Sequence, residues 1–167
     1  MTFNNNDIKV DIMIRLEING WDAHIGFSAA HILPAHDKCS RLHGHNYAVH
    51  ARIEGTEDEQ GFVFDFIPLK AILRNITEEL DHKIILPSSS NNGGEDRVEL
   101  TVKGKSYVFP REDCLFLDIE RTTAEELAAY ILRCLLDELK VPENVNSIEI
   151  GVDESRGQGA WVKKELR

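Results

Sequence analysis

Three histidines lie where two neighbouring strands are predicted to end. His43 and His45 are two residues apart, so their side chains point to the same side of a strand. His31 is in phase with the apolar residues that precede it, and Gly44 allows a close approach of the backbones. Three imidazoles that leave one coordination position open are a ligand set of catalytic zinc. We therefore predict that the three histidines together bind a divalent metal ion, although a single histidine in phase with a core is more often structural.

Cys39 lies four residues before His43, on a polar loop between the two predicted strands. Nearby cations lower the pKa of a thiol and favour the thiolate, which is its nucleophilic and basic form. Lys38 and Arg41 supply such charges. The same thiol could instead be a fourth ligand that closes a structural metal site. The spacing alone leaves both roles open.

Two carboxylates also lie in positions that could serve chemistry. Asp81 and His82 are adjacent at the predicted end of a helix. A carboxylate that supports an imidazole fixes its tautomer and raises its basicity, and the alternative is a histidine favoured there by the helix dipole. Glu154 is in phase with core-facing Ile150 and Val152. A carboxylate at such a position needs a hydrogen-bonding partner, for example a guanidine-like ligand, unless the strand end is solvated.

Alternating apolar residues predict the strands that must position these groups. Asn19-Gly20 predicts a type I′ hairpin turn between the first two strands. Thr122 and Glu125 form a capping-box pattern that opens the second of two main helices. The predicted fold is α+β, an antiparallel sheet packed against two main helices. Strands are predicted at 8–18, 21–31, 43–54, 114–119, 147–154 and 160–166, a hairpin at 97–109, and helices at 68–80 and 122–140.

Length and charge limit the classes of partner. The chain has 167 residues, with 19 basic and 29 acidic side chains, so its net charge is −10 and it is a poor non-specific ligand for nucleic acid or anionic membranes. It has no run of about 18 apolar residues that could span a membrane. Residues 1–7 are polar and lack the apolar core of a signal peptide. Three cysteines make a disulfide framework improbable. We expect a single domain in a reducing cytoplasm.

Several segments resemble motifs of the 6-pyruvoyl-tetrahydropterin synthase superfamily, in the order found there. The most specific is the Cys-x3-His-Gly-His segment, which is similar to the 6-carboxy-5,6,7,8-tetrahydropterin synthase branch. The resemblance implies a tunnelling fold over residues 1–167, with a hairpin insertion at about 83–113. It also implies that subunit sheets join into an oligomeric barrel, a homohexamer with active sites between subunits. The matching segments are 27–31, 39–47, 63–66, 80–82, 123–125 and 152–154.

The resemblance also implies roles for individual residues. It implies Zn2+ bound by His31, His43 and His45, catalysis by Cys39, Asp81 and His82, and pterin binding by Glu154, Thr122 and Thr123. The implied reaction converts 7,8-dihydroneopterin triphosphate to 6-carboxy-5,6,7,8-tetrahydropterin, with release of acetaldehyde and triphosphate, in 7-deazapurine (queuosine/archaeosine) biosynthesis. The alternative is a 6-pyruvoyl-tetrahydropterin synthase, a phosphate-lyase acting on the same substrate.

Overall fold

The computed structural model describes residues 12–167, so residues 8–11 of the first predicted strand lie outside the described residues. This range forms nine strands, three α-helices and two short 3₁₀ helices, which confirms the predicted α+β class. No helix within it is long and apolar enough to cross a membrane. The elements are β1 (Ile14–Ile18), α1 (Gly20–Ala23), β2 (Gly26–His31), β3 (His43–Gly55), α2 (Phe66–Leu80), β4 (Lys83–Pro87), β5 (Arg97–Val102), β6 (Lys105–Pro110), β7 (Cys114–Leu117), α3 (Ala124–Glu138), β8 (Val145–Ser155) and β9 (Gln158–Glu165).

The long strand β3 organises the main sheet. It pairs antiparallel with β1 and β2 along one side and with β8 along the other, and β9 pairs with β8. The predicted sheet is antiparallel, but β4 pairs parallel with β2, and β7 pairs parallel with β4. These pairings follow from crossover connections, because α2 precedes β4 and the β5–β6 hairpin precedes β7. The strand order is β7-β4-β2-β3-β8-β9, with β1 beside β3.

The two main helices cover one face of this sheet and form the core with it. Helix α2 begins two residues before its predicted start, because the Asp65 carboxylate accepts a hydrogen bond from the Ile67 N–H at 2.8 Å and caps the helix. The apolar side chains of both helices pack against every second residue of β3 and of β8, which share one face of the sheet. Buried members of this core include Leu69, Leu73, Ile76, Leu127, Ile131, Leu135, Val49, Ala51, Ile53, Ile148 and Ile150.

The predicted type I′ turn at Asn19-Gly20 is wrong. Asn19 instead caps the short helix α1, and its side chain accepts hydrogen bonds from the N–H groups of Trp21 and Asp22. Strands β1 and β2 both pair with β3 rather than with each other, so the segment between them is not a hairpin. The Gly20 N–H donates to Nδ1 of the buried His50 at 3.1 Å, which ties α1 to the sheet.

The N-terminus of α3 lies one residue beyond the predicted capping box. Thr123, not Thr122, is the N-cap, and its hydroxyl accepts a hydrogen bond from the Glu126 N–H at 3.4 Å. Thr122 is buried instead, with 1% of its surface exposed. This one-residue shift is functionally relevant, because it leaves Thr122 free to contact β2.

Replacing Thr123 with alanine is expected to lower the free energy of unfolding by about 1 kcal/mol, because the cap of α3 loses its hydroxyl acceptor. Urea denaturation followed by circular dichroism measures the change. Thr123→Ser keeps the acceptor and should retain most of the stability. Equal losses in both variants would contradict a capping role.

Strands β5 and β6 form the predicted hairpin as a separate two-stranded sheet. Val102 and Phe109 of the hairpin pack against Ile32, which directly follows β2. At the hairpin turn, Nζ of Lys103 contacts Oδ1 of Asp37 at 3.2 Å. The hairpin therefore supports the loop of residues 32–42, which carries Cys39.

Candidate metal and acid–base site

Three histidine rings meet on the helix-facing side of β2 and β3. His31 and His43 are direct partners in the antiparallel register, and His45 lies two residues further along β3. The ring centroids of His31 and His43 are 4.4 Å apart, and His45 is 5.2 Å from each of them. The strands thus bring together the three predicted metal ligands.

Main-chain carbonyls orient two of these rings. Nδ1 of His31 donates a hydrogen bond to the Thr122 carbonyl at 2.7 Å, and Nδ1 of His43 donates to the Arg41 carbonyl at 2.8 Å. Since a carbonyl oxygen only accepts, the proton of each ring lies on Nδ1 and leaves the Nε2 lone pair available. Metal-binding histidines in proteins use this same arrangement.

The free nitrogen atoms fit a metal ion. Nε2 of His31 and Nε2 of His45 are buried and lack a hydrogen-bond partner among residues 12–167. Burial lowers the pKa of His31 to about 4 and keeps its ring neutral. The neighbouring imidazoles also lower this pKa, whereas the hydrogen bond to Thr122 raises it. One nitrogen from each ring lies within 4.8 Å of the others, and this group could hold a metal ion. Neutral imidazole is the form that binds a metal.

Gly44 permits the strand pairing that brings the ligands together. A Cβ atom at this position would lie 2.7 Å from the Ala29 carbonyl oxygen, inside contact distance. Any side chain would push β3 away from β2 between His43 and His45. The structure therefore agrees with the close approach predicted at this glycine.

Cys39 lies on the loop beside the three histidines but outside the group of ligand atoms. In residues 12–167, the group that could hold a metal contains these histidines and no cysteine. The loop is folded by main-chain hydrogen bonds: the Leu33 N–H donates to the Cys39 carbonyl at 2.8 Å, and the Cys39 N–H donates to Nδ1 of His36 at 3.1 Å. Cys39 is half-buried and free. This placement favours a thiol near an open metal site over a fourth ligand.

Asp81 and His82 form a hydrogen-bonded pair where α2 ends. Asp81 Oδ1 accepts from the Ser28 N–H at 2.6 Å, and Asp81 Oδ2 accepts from Nδ1 of His82 at 2.7 Å. The bond from Ser28, with a further contribution from His82, lowers the pKa of Asp81 and keeps it ionised. The His82 side chain is 83% exposed. The pair therefore presents Nε2 of His82, with its tautomer fixed, at the surface.

His82 also has a left-handed backbone conformation, with φ of 58°. This conformation is uncommon for a residue with a Cβ atom. It is held by the His82 N–H, which donates to the Ser28 carbonyl at 2.7 Å. Both the side chain of Asp81 and the main chain of His82 are thus fixed on β2, the strand that carries His31.

An open cleft lies beside the acid–base pair, along strands β2 and β3. The cleft has a volume of ≈ 640 Å³, and both His45 and His82 line it, together with Asn46 and Lys83. Ser28, Ala30, Gly44 and Asn46 of its lining alternate along β2 and β3 with the three histidines, so these residues point to the opposite face of the sheet. The structure therefore places a solvent-accessible proton acceptor beside the two strands that carry the three histidines.

Glu154 completes the polar lining of the cluster. Its Oε2 lies 4.0 Å from Nε2 of His45, and its side chain is 18% exposed. Tyr47 is buried beside them, and this burial, with a smaller effect of the Glu154 charge, raises the pKa of the phenol. Sequence reasoning missed Tyr47, although a phenol in phase with His43 and His45 requires a partner for its hydroxyl.

The structure gives Thr122 and Thr123 contacts within the fold. The Thr122 hydroxyl donates to the Ile32 carbonyl at 3.4 Å, and its own carbonyl accepts from His31. Thr123 caps α3. Substrate contact by either residue stays a prediction. Sequence reasoning could not have found the carbonyl contacts of Thr122 and Arg41, because a main-chain acceptor is present at every residue.

The fold and the site define a class: an α+β protein whose sheet carries three histidines able to hold a metal ion, beside a carboxylate-supported histidine. The profile of the family described as 6-pyruvoyl tetrahydropterin synthase matches residues 22–165. The chain belongs to this family.

Similar proteins include both named branches of the family. A putative 6-carboxy-5,6,7,8-tetrahydropterin synthase of Methanocaldococcus jannaschii is 39% identical over 158 residues, which cover 90% of this chain and 97% of the relative. The 6-carboxy-5,6,7,8-tetrahydropterin synthase of Aquifex aeolicus is 29% identical over 133 residues, 77% of this chain and 78% of that protein. The crystal structure of 6-pyruvoyl tetrahydropterin synthase from Plasmodium vivax superposes with a TM-score of 0.83 at 32% identity, covering 93% of this chain and 100% of that one.

Proposed function

We propose that the protein is a zinc-dependent lyase that converts 7,8-dihydroneopterin triphosphate and water to 6-carboxy-5,6,7,8-tetrahydropterin, acetaldehyde and triphosphate. The product would enter 7-deazapurine (queuosine/archaeosine) biosynthesis. The observation that carries the proposal is the group of three histidine nitrogens within 4.8 Å of one another, on strands of which β2 also fixes the Asp81–His82 pair. The names of the relatives from Methanocaldococcus jannaschii and Aquifex aeolicus support the choice of branch.

Different residues of the site would perform different parts of the reaction. His31, His43 and His45 would hold the zinc ion, which when bound supplies Lewis-acid stabilisation to the oxygens of the substrate side chain. Cys39, as thiolate, takes a proton from the side-chain carbon that bears a hydroxyl. His82 exchanges protons with the side-chain oxygens through Nε2, because its Nδ1 is held by Asp81.

Glu154 would bind the ring of the substrate. A carboxylate offers two oxygens to the amino group and ring N–H of a pterin, as it does to a guanidinium. Glu154 is the carboxylate beside His45, so it orients the ring with the reacting side chain toward the histidine cluster. Proton transfer then reduces the ring and oxidises the side chain, triphosphate leaves, and cleavage of a carbon–carbon bond releases acetaldehyde.

Product analysis tests this proposal against its alternative. Purified protein loaded with zinc is incubated with 7,8-dihydroneopterin triphosphate, and the products are identified by mass spectrometry. Acetaldehyde and a 6-carboxylated ring would support the proposal. A retained three-carbon side chain would show a 6-pyruvoyl-tetrahydropterin synthase instead, the activity named for the similar Plasmodium vivax structure.

The triphosphate requires local positive charge in a chain of net charge −10. Lys38 and Arg41 are exposed on the Cys39 loop, and Lys83 lines the cleft. A double variant, Lys38→Ala with Arg41→Ala, is expected to raise KM for the triphosphate substrate by roughly tenfold, because two ionic hydrogen bonds are lost. Steady-state kinetics measures the change.

The matched control removes two exposed lysines elsewhere, Lys105 and Lys140, and changes the net charge equally. Its KM should stay close to that of the wild type. An unchanged KM in the loop variant, or an equal rise in both variants, would reject specific phosphate binding by the loop.

Assembly and location are part of the same proposal. We propose a cytoplasmic homohexamer whose sheets join edge to edge, with β9 as one exposed edge strand of the sheet. In such an assembly, Cys39 and the Asp81–His82 pair of one active site can come from different subunits. Sedimentation analysis measures the subunit number, and a monomer at micromolar concentration would contradict this part.

A further inference from the structure

The hydroxyl of Tyr47 is buried and has no hydrogen-bond partner in the part of the chain that the structure describes. Only 3% of the residue is exposed, and the oxygen makes no hydrogen bond within residues 12–167. The ring itself is well packed, because it stacks on Phe27 with a centroid distance of 4.6 Å. Phenylalanine would keep this stacking and avoid the free-energy cost of an unsatisfied buried hydroxyl. The hydroxyl therefore needs an explanation other than packing.

The surroundings of the ring identify an acceptor. The Tyr47 ring meets the His45 ring edge-on at 5.4 Å. Ala48 and Asp153 are the last paired positions of β3 and β8, so Tyr47 and Glu154 come next on the two strands. Side chains at such opposed positions have Cβ atoms about 4.5–5.5 Å apart. Continuation of the register places Glu154 opposite Tyr47. Burial raises the pKa of the phenol and the Glu154 charge contributes to the rise, so Glu154 is the carboxylate that could accept from this hydroxyl.

We propose that Tyr47 is a positioning residue whose hydroxyl donates a hydrogen bond to the Glu154 carboxylate when a pterin ring is bound. This inference rests on the proposed role of Glu154 in pterin binding. In the structure, Oε2 of Glu154 is turned toward Nε2 of His45 but lies beyond hydrogen-bond distance, at 4.0 Å. The carboxylate is therefore not yet fixed by a strong partner on this side.

A bound pterin would restrict the orientation of the Glu154 carboxylate. A pterin edge donates two parallel hydrogen bonds, so it fixes the plane in which both oxygens must lie. A carboxylate can accept about four hydrogen bonds, which leaves room for a donor from the protein. The phenol is protonated at neutral pH and offers one O–H. Tyr47 would hold the plane of Glu154 in the orientation that the pterin edge requires.

Tyr47→Phe should weaken pterin binding without lowering the stability of the protein. The melting temperature should be equal to or above that of the wild type, because the variant removes an unsatisfied buried group. The Kd for neopterin, an unreactive pterin with the same amino-pyrimidinone edge, should rise about tenfold, the effect of one hydrogen bond to a charged group. Titration of neopterin fluorescence with zinc-loaded protein measures Kd. Tyr107→Phe, on β6, is the matched control and should leave Kd unchanged.

A double-mutant cycle tests whether Tyr47 acts through Glu154. If it does, adding Tyr47→Phe to Glu154→Gln should weaken neopterin binding by less than twofold beyond the single Glu154→Gln variant. With the triphosphate substrate, Tyr47→Phe should raise KM and leave kcat within about threefold, as expected for a loss of uniform binding.

Any one of three results would overturn the role of Tyr47 without affecting the proposed function. These results are wild-type affinity in Tyr47→Phe, full additivity in the double-mutant cycle, or a lower melting temperature that accounts for the loss of binding. If the wild-type protein does not bind neopterin, the pterin assignment fails and this inference fails with it. If the wild type binds neopterin and Tyr47→Phe weakens that binding, but no 6-carboxy-tetrahydropterin forms, only the proposed reaction is rejected.

Discussion

Replacing Cys39 with alanine is expected to lower kcat on the order of 10³-fold while the bound metal stays in place, because general-base catalysis contributes roughly 10²–10⁴-fold. The thiol lies outside the group of atoms that could hold the metal. Its removal should therefore leave the ligand set of His31, His43 and His45 complete. Turnover of 7,8-dihydroneopterin triphosphate and zinc content by elemental analysis are measured on the same preparation.

The fold should tolerate this change. The loop hydrogen bonds of Cys39 involve its main chain, which donates to His36 and accepts from Leu33, so alanine keeps both. The half-buried side chain loses only a small contact area. We expect a melting temperature within a few degrees of the wild-type value, which separates lost chemistry from lost folding.

The other two cysteines provide the control. Burial raises the pKa of Cys114 and, in the same way, that of Cys134, so both are mainly thiols at neutral pH. Cys114→Ala should retain close to full activity. The role of Cys39 as a base would be rejected if Cys39→Ala kept its turnover. If it lost zinc and stability together, Cys39 would be a fourth ligand in a closed structural site.

Residue periodicity was sufficient to predict the histidine cluster. The alternation of β3 placed His43 and His45 on one face, and the phase of β2 placed His31 on the same face. Strand pairing then made these positions neighbours, since directly opposed residues on antiparallel strands must lie close together. Only the pairing of β2 with β3 had to be inferred, and it is favoured because strands that are consecutive in the chain are usually neighbours in a sheet.

The errors lie where distant residues decide the local structure. Asn19-Gly20 is a strong hairpin signal, but the contact of Gly20 with the buried His50 comes from a strand 30 positions further along. The helix cap moved from Thr122 to Thr123 because the main chain of Thr122 is engaged by His31 of β2. Such contacts are fixed by tertiary packing, and local patterns carry no information about them.

Replacing His43 with alanine should remove the metal. His43 is half-buried, whereas His31 is 1% exposed, so truncation at His43 disturbs the core less. Loss of a residue that only orients a metal ligand lowers metal affinity about 10–100-fold, so loss of a ligand should lower it at least about 100-fold. Elemental analysis after dialysis against a weak chelator gives the metal content of the variant and of the wild type.

Thermal denaturation with and without EDTA gives an independent measure. A metal that binds only the folded state raises the melting temperature, and EDTA should therefore lower the Tm of the wild type. The His43→Ala variant should melt at the same temperature with and without EDTA. If it does, the stabilising effect of the metal depends on this ligand.

A matched variant separates the loss of a ligand from the loss of any histidine. His24 is exposed, lies outside the cluster and has φ of 52°, a conformation that asparagine tolerates. His24→Asn should keep a full complement of metal and the EDTA-sensitive Tm. Nε2 of His31 and of His45 has no hydrogen-bond partner within residues 12–167, so two imidazoles would remain available in the His43→Ala variant. Stoichiometric metal in that variant would mean that these two nitrogens suffice with other ligands, and that the three-histidine site is wrong.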